Sequence, residues 1–319
     1  MAGPSNYPGG FSNGVTIRGV PVSIMHPGKV FWVNNSTVLA PGGIGGSDSN
    51  DGTYQRPFST VDYAIGRCTS GRGDVIAVMP GHAETIATAA AILSDVAGVA
   101  IVGLGSGASR PTFTWSAVAS TWSVTVANTS FVNLNFISSM ATTFTTTGFD
   151  LAAGADGITF DNCYFADTDS THGFVTMVTS ATGVDNIAFV NCQANQLMVT
   201  SGAFFTGVAH DRFLVDNCFL ACTADQTTPV GNLTTSGNVT NGRIKDSSFV
   251  QLTDAALLID FNGTANTGTI SNCYFSSLDI ADAVTIGIDA TGMHAFECYV
   301  AGEADTYGII GGGTAYNNA

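Results

Sequence analysis

The chain has 319 residues, 45% apolar and only 10% charged, and its 24 acidic and nine basic side chains give a formal net charge of −15. So few basic groups cannot neutralise a run of phosphates, which argues against nucleic acid and anionic membrane as partners. No run of about 18 apolar residues occurs, and Met1-Ala-Gly-Pro-Ser-Asn-Tyr-Pro8 lacks the basic and apolar regions of an export signal, so synthesis in a cytoplasm without export is expected.

Residues 1–45 are rich in Pro and Gly, with short strand-like pieces at Val15–Ile17 and Val30–Val33. We read this stretch as an extended arm. Its aromatic and apolar residues Val30, Phe31, Trp32 and Val33, with Arg18 and Lys29, are the expected contacts to a partner. Residues 46–73 follow as a cap: a turn-rich loop, Asp48-Ser-Asn-Asp-Gly-Thr53, then a short helix capped by Ser59 or Thr60 with Val61, Ala64 and Ile65 on its inner face. The loop has Gly at a ligand position of the EF-hand pattern and no closing Glu, so it reads as a turn and not as a calcium site. A strand over 73–81 ends at Pro80-Gly81, and Val99–Leu104 forms the next.

From there to the end the chain repeats. Alternating apolar strands close on Asn or a substitute at 133, 162, 191, 217, 246, 272 and 297, in steps of 29, 29, 26, 29, 26 and 25 residues. Strands recurring at such a period predict a solenoid over 74–319, with alternate Ile, Val and Phe side chains pointing inward. The Asn positions, Asn133, Asn162, Asn191, Asn217 and Asn272, fit a bend in the left-handed backbone region, where Asn is favoured after Gly. Stacked on successive coils, their amides can bond along the rod. Cys163, Cys192, Cys218, Cys273 and Cys298 follow the bend residue in five copies. Without CxxC pairs, and with an odd total of seven, they read as stacked core thiols and not as disulfides or metal ligands. No metal site and no cofactor is expected.

The Asp-Gly-Thr…Pro-Phe-Ser-Thr cap, the Gly-Asp-Val-Ile…Met-Pro-Gly-His-Ala-Glu opening strand and the Asn-Cys rungs resemble the pectate-lyase-like superfamily over about residues 46–319. That resemblance implies an all-β, right-handed, single-stranded parallel β-helix with three strands per rung. Stretches such as 255–260 and 283–288 supply the third strand.

Chemistry is harder to find. Arg243-Ile-Lys245 resembles a substrate-binding motif of polygalacturonases, but the Asn-Thr-Asp, Asp-Asp and Gly-His-Gly motifs of that family do not occur. Asp167 and Asp169, with His172 close by, and with Asp225 or Asp254 from later loops, are the carboxylates that could flank a glycosidic bond. Asp279, Asp282, Glu303 and Asp305 fall at comparable points, so these acids read first as a solvated stripe along the rod. His26, His82, His210 and His294 are scattered without ligand spacing, and Trp115 and Trp122 are expected in the core or an interface.

The arm, with Gly19-Val-Pro-Val22 and Pro27-Gly-Lys-Val-Phe-Trp32 before the Asp-Gly-Thr cap, resembles segments of tailed-phage structural proteins. This implies a non-enzymatic virion protein, a capsid decoration or cement protein, held by its arm on the major capsid protein or another virion protein and assembled as a homotrimer. The alternative is a tail spike that binds or cleaves bacterial surface polysaccharide through the carboxylates named above.

Overall fold

A computed structural model describes residues 28–140, 144–169, 173–197, 203–222, 232–251, 257–277 and 287–301, together with the backbone of short pieces at 16–17, 20–21, 307–310 and 313–314. The chain winds as an all-β parallel β-helix, as the repeat predicts. Three strands per coil stack into three long sheets of eleven, ten and eight strands. The first sheet runs from Val30–Val33 through Val75–Val78, Ala100–Gly103, Ser130–Val132 and Thr159–Asp161 to His294–Phe296, and the short Gly313–Thr314 closes it antiparallel. Its ten parallel strands, nine steps of about 4.8 Å, give a rod about 43 Å long.

The second sheet begins at Ala83–Ile86 and the third at Ile92–Ser94. Neighbouring coils pair in register: Phe131 lies beside Phe160, and Phe160 beside Phe189. Inward positions therefore repeat the same residue type and stack along the axis. The rings of Phe131, Phe160 and Phe189 are 4.8 and 5.2 Å apart and nearly coplanar in orientation, at 13° and 9°. Around them Trp115, Trp122, Phe136 and Phe149, all fully buried, pack edge to face or tilted except for Trp122 and Phe149, which stack at 5.3 Å. The indole N–H groups find acceptors inside, Trp115 at the Gly148 carbonyl (3.1 Å) and Trp122 at Ser94 Oγ (3.0 Å), so burial leaves no orphaned donor.

All seven expected bend residues have left-handed backbones, with φ from 49° at Asn272 to 57° at Asn133, Asp246 and Glu297 included. Side chains run along the rod as expected: Asn162 donates to Asn133 Oδ1 (3.0 Å), Asn217 to Asn191 Oδ1 (2.8 Å) and Asn272 to Asp246 Oδ1 (2.6 Å). Asn191 departs from the column and donates to Asp161 Oδ1 (3.0 Å). The cysteines beside them are buried free thiols. Each of Cys163, Cys192 and Cys218 points its Sγ at a carbonyl of the previous coil, on Phe131, Phe160 and Phe189. Burial pushes the Cys192 thiol well above its ordinary value, and its bond to Cys192 followed by burial does the same to Cys218.

The cap is built as expected, with one change of boundary. The helix Val61–Ile65 starts at Thr60, whose side chain accepts from Tyr63 N, and it buries Val61, Ala64 and Ile65 over the open end of the core. Asp48 fixes the preceding loop by accepting from the Ser59 and Thr60 amides (2.9 and 3.1 Å) and from Thr60 Oγ1. The expected arm over 1–45, however, ends earlier. Val30–Val33 is the first strand of the first sheet, paired in parallel with Val75–Val78. Val33 is fully buried, and Phe31 packs on Phe58 at 5.9 Å. The cap is thus inserted between the first and second rungs, and the main chain of 30–33 satisfies its hydrogen bonds within the rod.

Candidate functional site

The carboxylates nominated for catalysis do not converge among the described residues. Asp167 ends the strand Tyr164–Asp167 with its side chain buried, and its two oxygens accept from the amides of Phe174 (2.8 Å) and Leu197 (3.0 Å). A methyl group on Gly173 would sit 2.4 Å from that carboxyl carbon, so the chain wraps closely around it. Asp169 is exposed in the following loop. One carboxylate therefore faces the interior and ties two coils together while the other faces solvent. Asp225, Asp254 and His172 lie outside the described residues, as do Asp279, Asp282, Glu303, Asp305 and His26.

Other polar candidates belong to the frame. In Arg243-Ile-Lys245 the middle residue is buried, and Lys245 reaches across one rung to Asp216 (2.8 Å), a bond that raises its pKa. His82 is buried: it accepts from the Asn35 amide at Nδ1 (3.1 Å) and turns Nε2 to Glu84 (3.2 Å), which itself accepts from Val61 N. His210 lies between the Val184 carbonyl (2.7 Å) and Ser180 Oγ (3.1 Å), and burial lowers its pKa. His294 is exposed.

Two features escaped the sequence reading. A second left-handed column occupies the opposite bend, at Asn128, Asn186, Arg212 and Asn241 with Gly98 and Gly157. Beside it Asp156 and Asp185 accept the amide of the next coil's acid, Asp185 and Asp211 respectively (2.9 and 2.8 Å). On the outer face of the third sheet, Asp150, Thr179, Thr206, Thr234, Asp260 and Asp289 share one register. Burial, and then the neighbouring Asp289, push the Asp260 carboxyl up. The 29-residue step between the two acids equals the repeat, a signal legible once the third strand is placed. No group of three metal-ligating side chains occurs among the described residues.

The outer face of the second sheet carries a concave surface with aromatic and amide side chains in its lining. Tyr164, Gln193, Phe219, Ser248, Tyr274 and Tyr299 follow one another in register on successive coils. Phe219, Tyr274 and Tyr299 are 47, 55 and 40% exposed, unusual for residues of their size, and Tyr274 and Tyr299 stack at 5.2 Å. Beside this file runs a second of small and polar residues, Asn195, Ala221, Val250 and Ser276. Tyr164, Gln193 and Phe219 of the first file and the whole of the second line a shallow groove of about 540 Å³, within the range of small-ligand sites, and Ser248, Tyr274 and Tyr299 continue the first file beyond it.

The proposed partner contacts sort differently. Val33 is interior, Phe31 and Trp32 are half-buried, with Trp32 edge-on to Tyr54 at 4.9 Å, and Lys29 and Val30 are exposed at the entry to the rod. Arg18 lies outside the described residues.

No protein-family model matches the chain, and no curated protein matches it. Solved structures do. A rhamnogalacturonan lyase aligns at 15% identity over 78% of this chain and 69% of its own, with a TM-score of 0.49. The pectin methylesterase of Aspergillus niger aligns at 16% over 86% and 89%, TM-score 0.48. Pectate lyase Pel9A aligns at 13% over 86% and 76%, TM-score 0.44. The parallel β-solenoid of this chain is read from its own strand pairing.

Proposed function

We propose that the chain is a non-enzymatic structural protein of a phage virion, a capsid decoration protein held through its N-terminal segment on the major capsid protein or another virion protein and assembled as a homotrimer. The observation that carries this reading is the role of the described acids. Asp167 accepts the amides of Phe174 and Leu197, and Asp156 and Asp185 accept amides of the next coil, so these described acids serve the frame of the rod. The first described residues after the anchoring segment, Lys29 and Val30, are exposed beside the first rung. A partner that binds the assembled shell and not its free subunits would stabilise the shell by mass action.

Deleting residues 1–27 leaves the first rung whole and is the clean test. The truncated chain is expected to keep its β-rich circular dichroism and to lose binding to heads. Undiminished decoration by the truncated rod refutes anchoring by this segment. A cryo-EM map of the virion that lacks the rod on the head refutes the decoration role.

A further inference from the structure

We propose that the groove on the outer face of the second sheet is a non-catalytic binding site for a neutral, linear glycan lying along the rod axis. A sugar ring presents C–H groups on its faces and hydroxyls around its rim, so it is recognised by aromatic surface beside amides or hydroxyls. This face supplies both in a regular order. Tyr164, Phe219 and Tyr274 stand on every second coil of one register, about 9.6 Å apart at ~4.8 Å per rung, close to the length of a disaccharide. Gln193 and Ser248 occupy the rungs between them, and Asn195 lies alongside.

The amides are available. On the bends, Asn133, Asn162, Asn191 and Asn217 use their side chains to bond the neighbouring coil. Among the described residues the side-chain amides of Gln193 and Asn195 make no hydrogen bond. They flank aromatic rings at the surface of a concave site, the combination of apolar wall and few polar groups that fixes a ligand's orientation.

Charge selects the polymer. No residue lining the groove is charged, and the chain as a whole carries −15, so a polyuronate would meet repulsion with no cation to offset it. Shape argues against a second copy of the chain as occupant. The exposed aromatics form a file one side chain wide, interrupted by Gln193 and Ser248, whereas a stable protein interface needs about 800 Å² of continuous surface per partner.

Native affinity electrophoresis of the full-length chain tests this, in gels containing dextran, β-1,4-glucan, mannan or polygalacturonate. Retardation is expected in at least one neutral polymer and not in polygalacturonate. Tyr164→Ala and Phe219→Ala, both surface changes that should leave the thermal transition in place, are expected to weaken retardation at least about tenfold, the effect of ~1.4 kcal/mol. Asp169→Asn should leave it unchanged. The site is refuted if no neutral polymer retards the chain, if only polygalacturonate does, or if both aromatic variants migrate like the parent. Loss of self-association in Phe219→Ala with retardation intact would reassign the face to contact between copies. The assay contains no virus particle, so its outcome is separate from that of the N-terminal deletion.

Discussion

Carboxylates in this protein sort by what donates to them. At Asp74 burial alone would raise the pKa, but the fork of Arg72 and the amides of Lys29 and Thr69 outweigh it and hold the carboxyl below its usual range. Asp260 is the opposite case: burial and Asp289 raise it, and only a long bond from Asn262 (3.4 Å) opposes them. The signs follow from linkage. Asp74 contributes stability that is present above the unfolded carboxyl pKa and is lost as pH falls through its depressed folded value. Asp260, whose folded value is raised, costs stability once ionised, and that cost disappears as pH falls through the folded and then the unfolded value. Asp260→Asn removes the charge and should therefore raise Tm at pH 7 by about 1 °C, the scale of a few tenths of a kcal/mol in a chain this size. The difference should vanish at a pH near 3, below the unfolded carboxyl value of ~3.9. Thermal melts of the variant and parent across that range check it, and a pH-independent difference would show that the two acids do not interact.

At the scale of the turn, the left-handed bend separates conformational from hydrogen-bonding effects. Asn191 has φ 54°, donates to Asp161 and accepts from Asn217. Gly at this position keeps the backbone and loses the bonds, whereas Ala loses the bonds and also strains the bend. Asn191→Ala should therefore be less stable than Asn191→Gly by about 1 kcal/mol in urea melts, and equal stabilities would mean that the bend is not conformationally demanding. This column was legible in the sequence because Asn and Cys adjoin in four copies, a pair conspicuous enough to carry the period through substitutes such as Asp246 and Glu297. The opposite column was not, because Gly157, Asn186 and Arg212 share a backbone conformation and no chemistry. The first rung was misread for a different reason. Val30–Val33 pairs with residues 45 positions later because the cap intervenes, and that distance breaks the 25–29-residue rhythm that identifies the other strands. The groove was half legible: Tyr164, Gln193, Phe219, Ser248, Tyr274 and Tyr299 all follow the Cys position of the repeat, but only the structure shows that they face outward beside Asn195 and Ser276.

For the whole molecule, stability is expected to be distributed along one dimension, because each coil contacts only its neighbours. The distribution is uneven. Stacked and edge-packed rings run without interruption from Phe113 through Phe136, Phe149, Phe160 and Phe189 to Phe213, while toward the C-terminal end the same first-sheet register holds Ile244, Ile270 and Ala295. Aromatic pairs add roughly 0.5–1.5 kcal/mol each beyond area burial, so the central coils should open last. Native-state hydrogen exchange should find its slowest amides near Phe131, Phe160 and Phe189, with protection falling toward Ala295. Phe160→Ala removes a ring stacked between two others on successive coils and should cost about 3–5 kcal/mol. A solenoid opened at its strongest point loses the coupling between its two halves. The variant should therefore show a broadened or two-step urea transition, in which the coils beyond Phe189 melt first. A single sharp transition merely shifted to lower urea would mean that the rod unfolds as one unit and that the aromatic segment does not dominate its cooperativity.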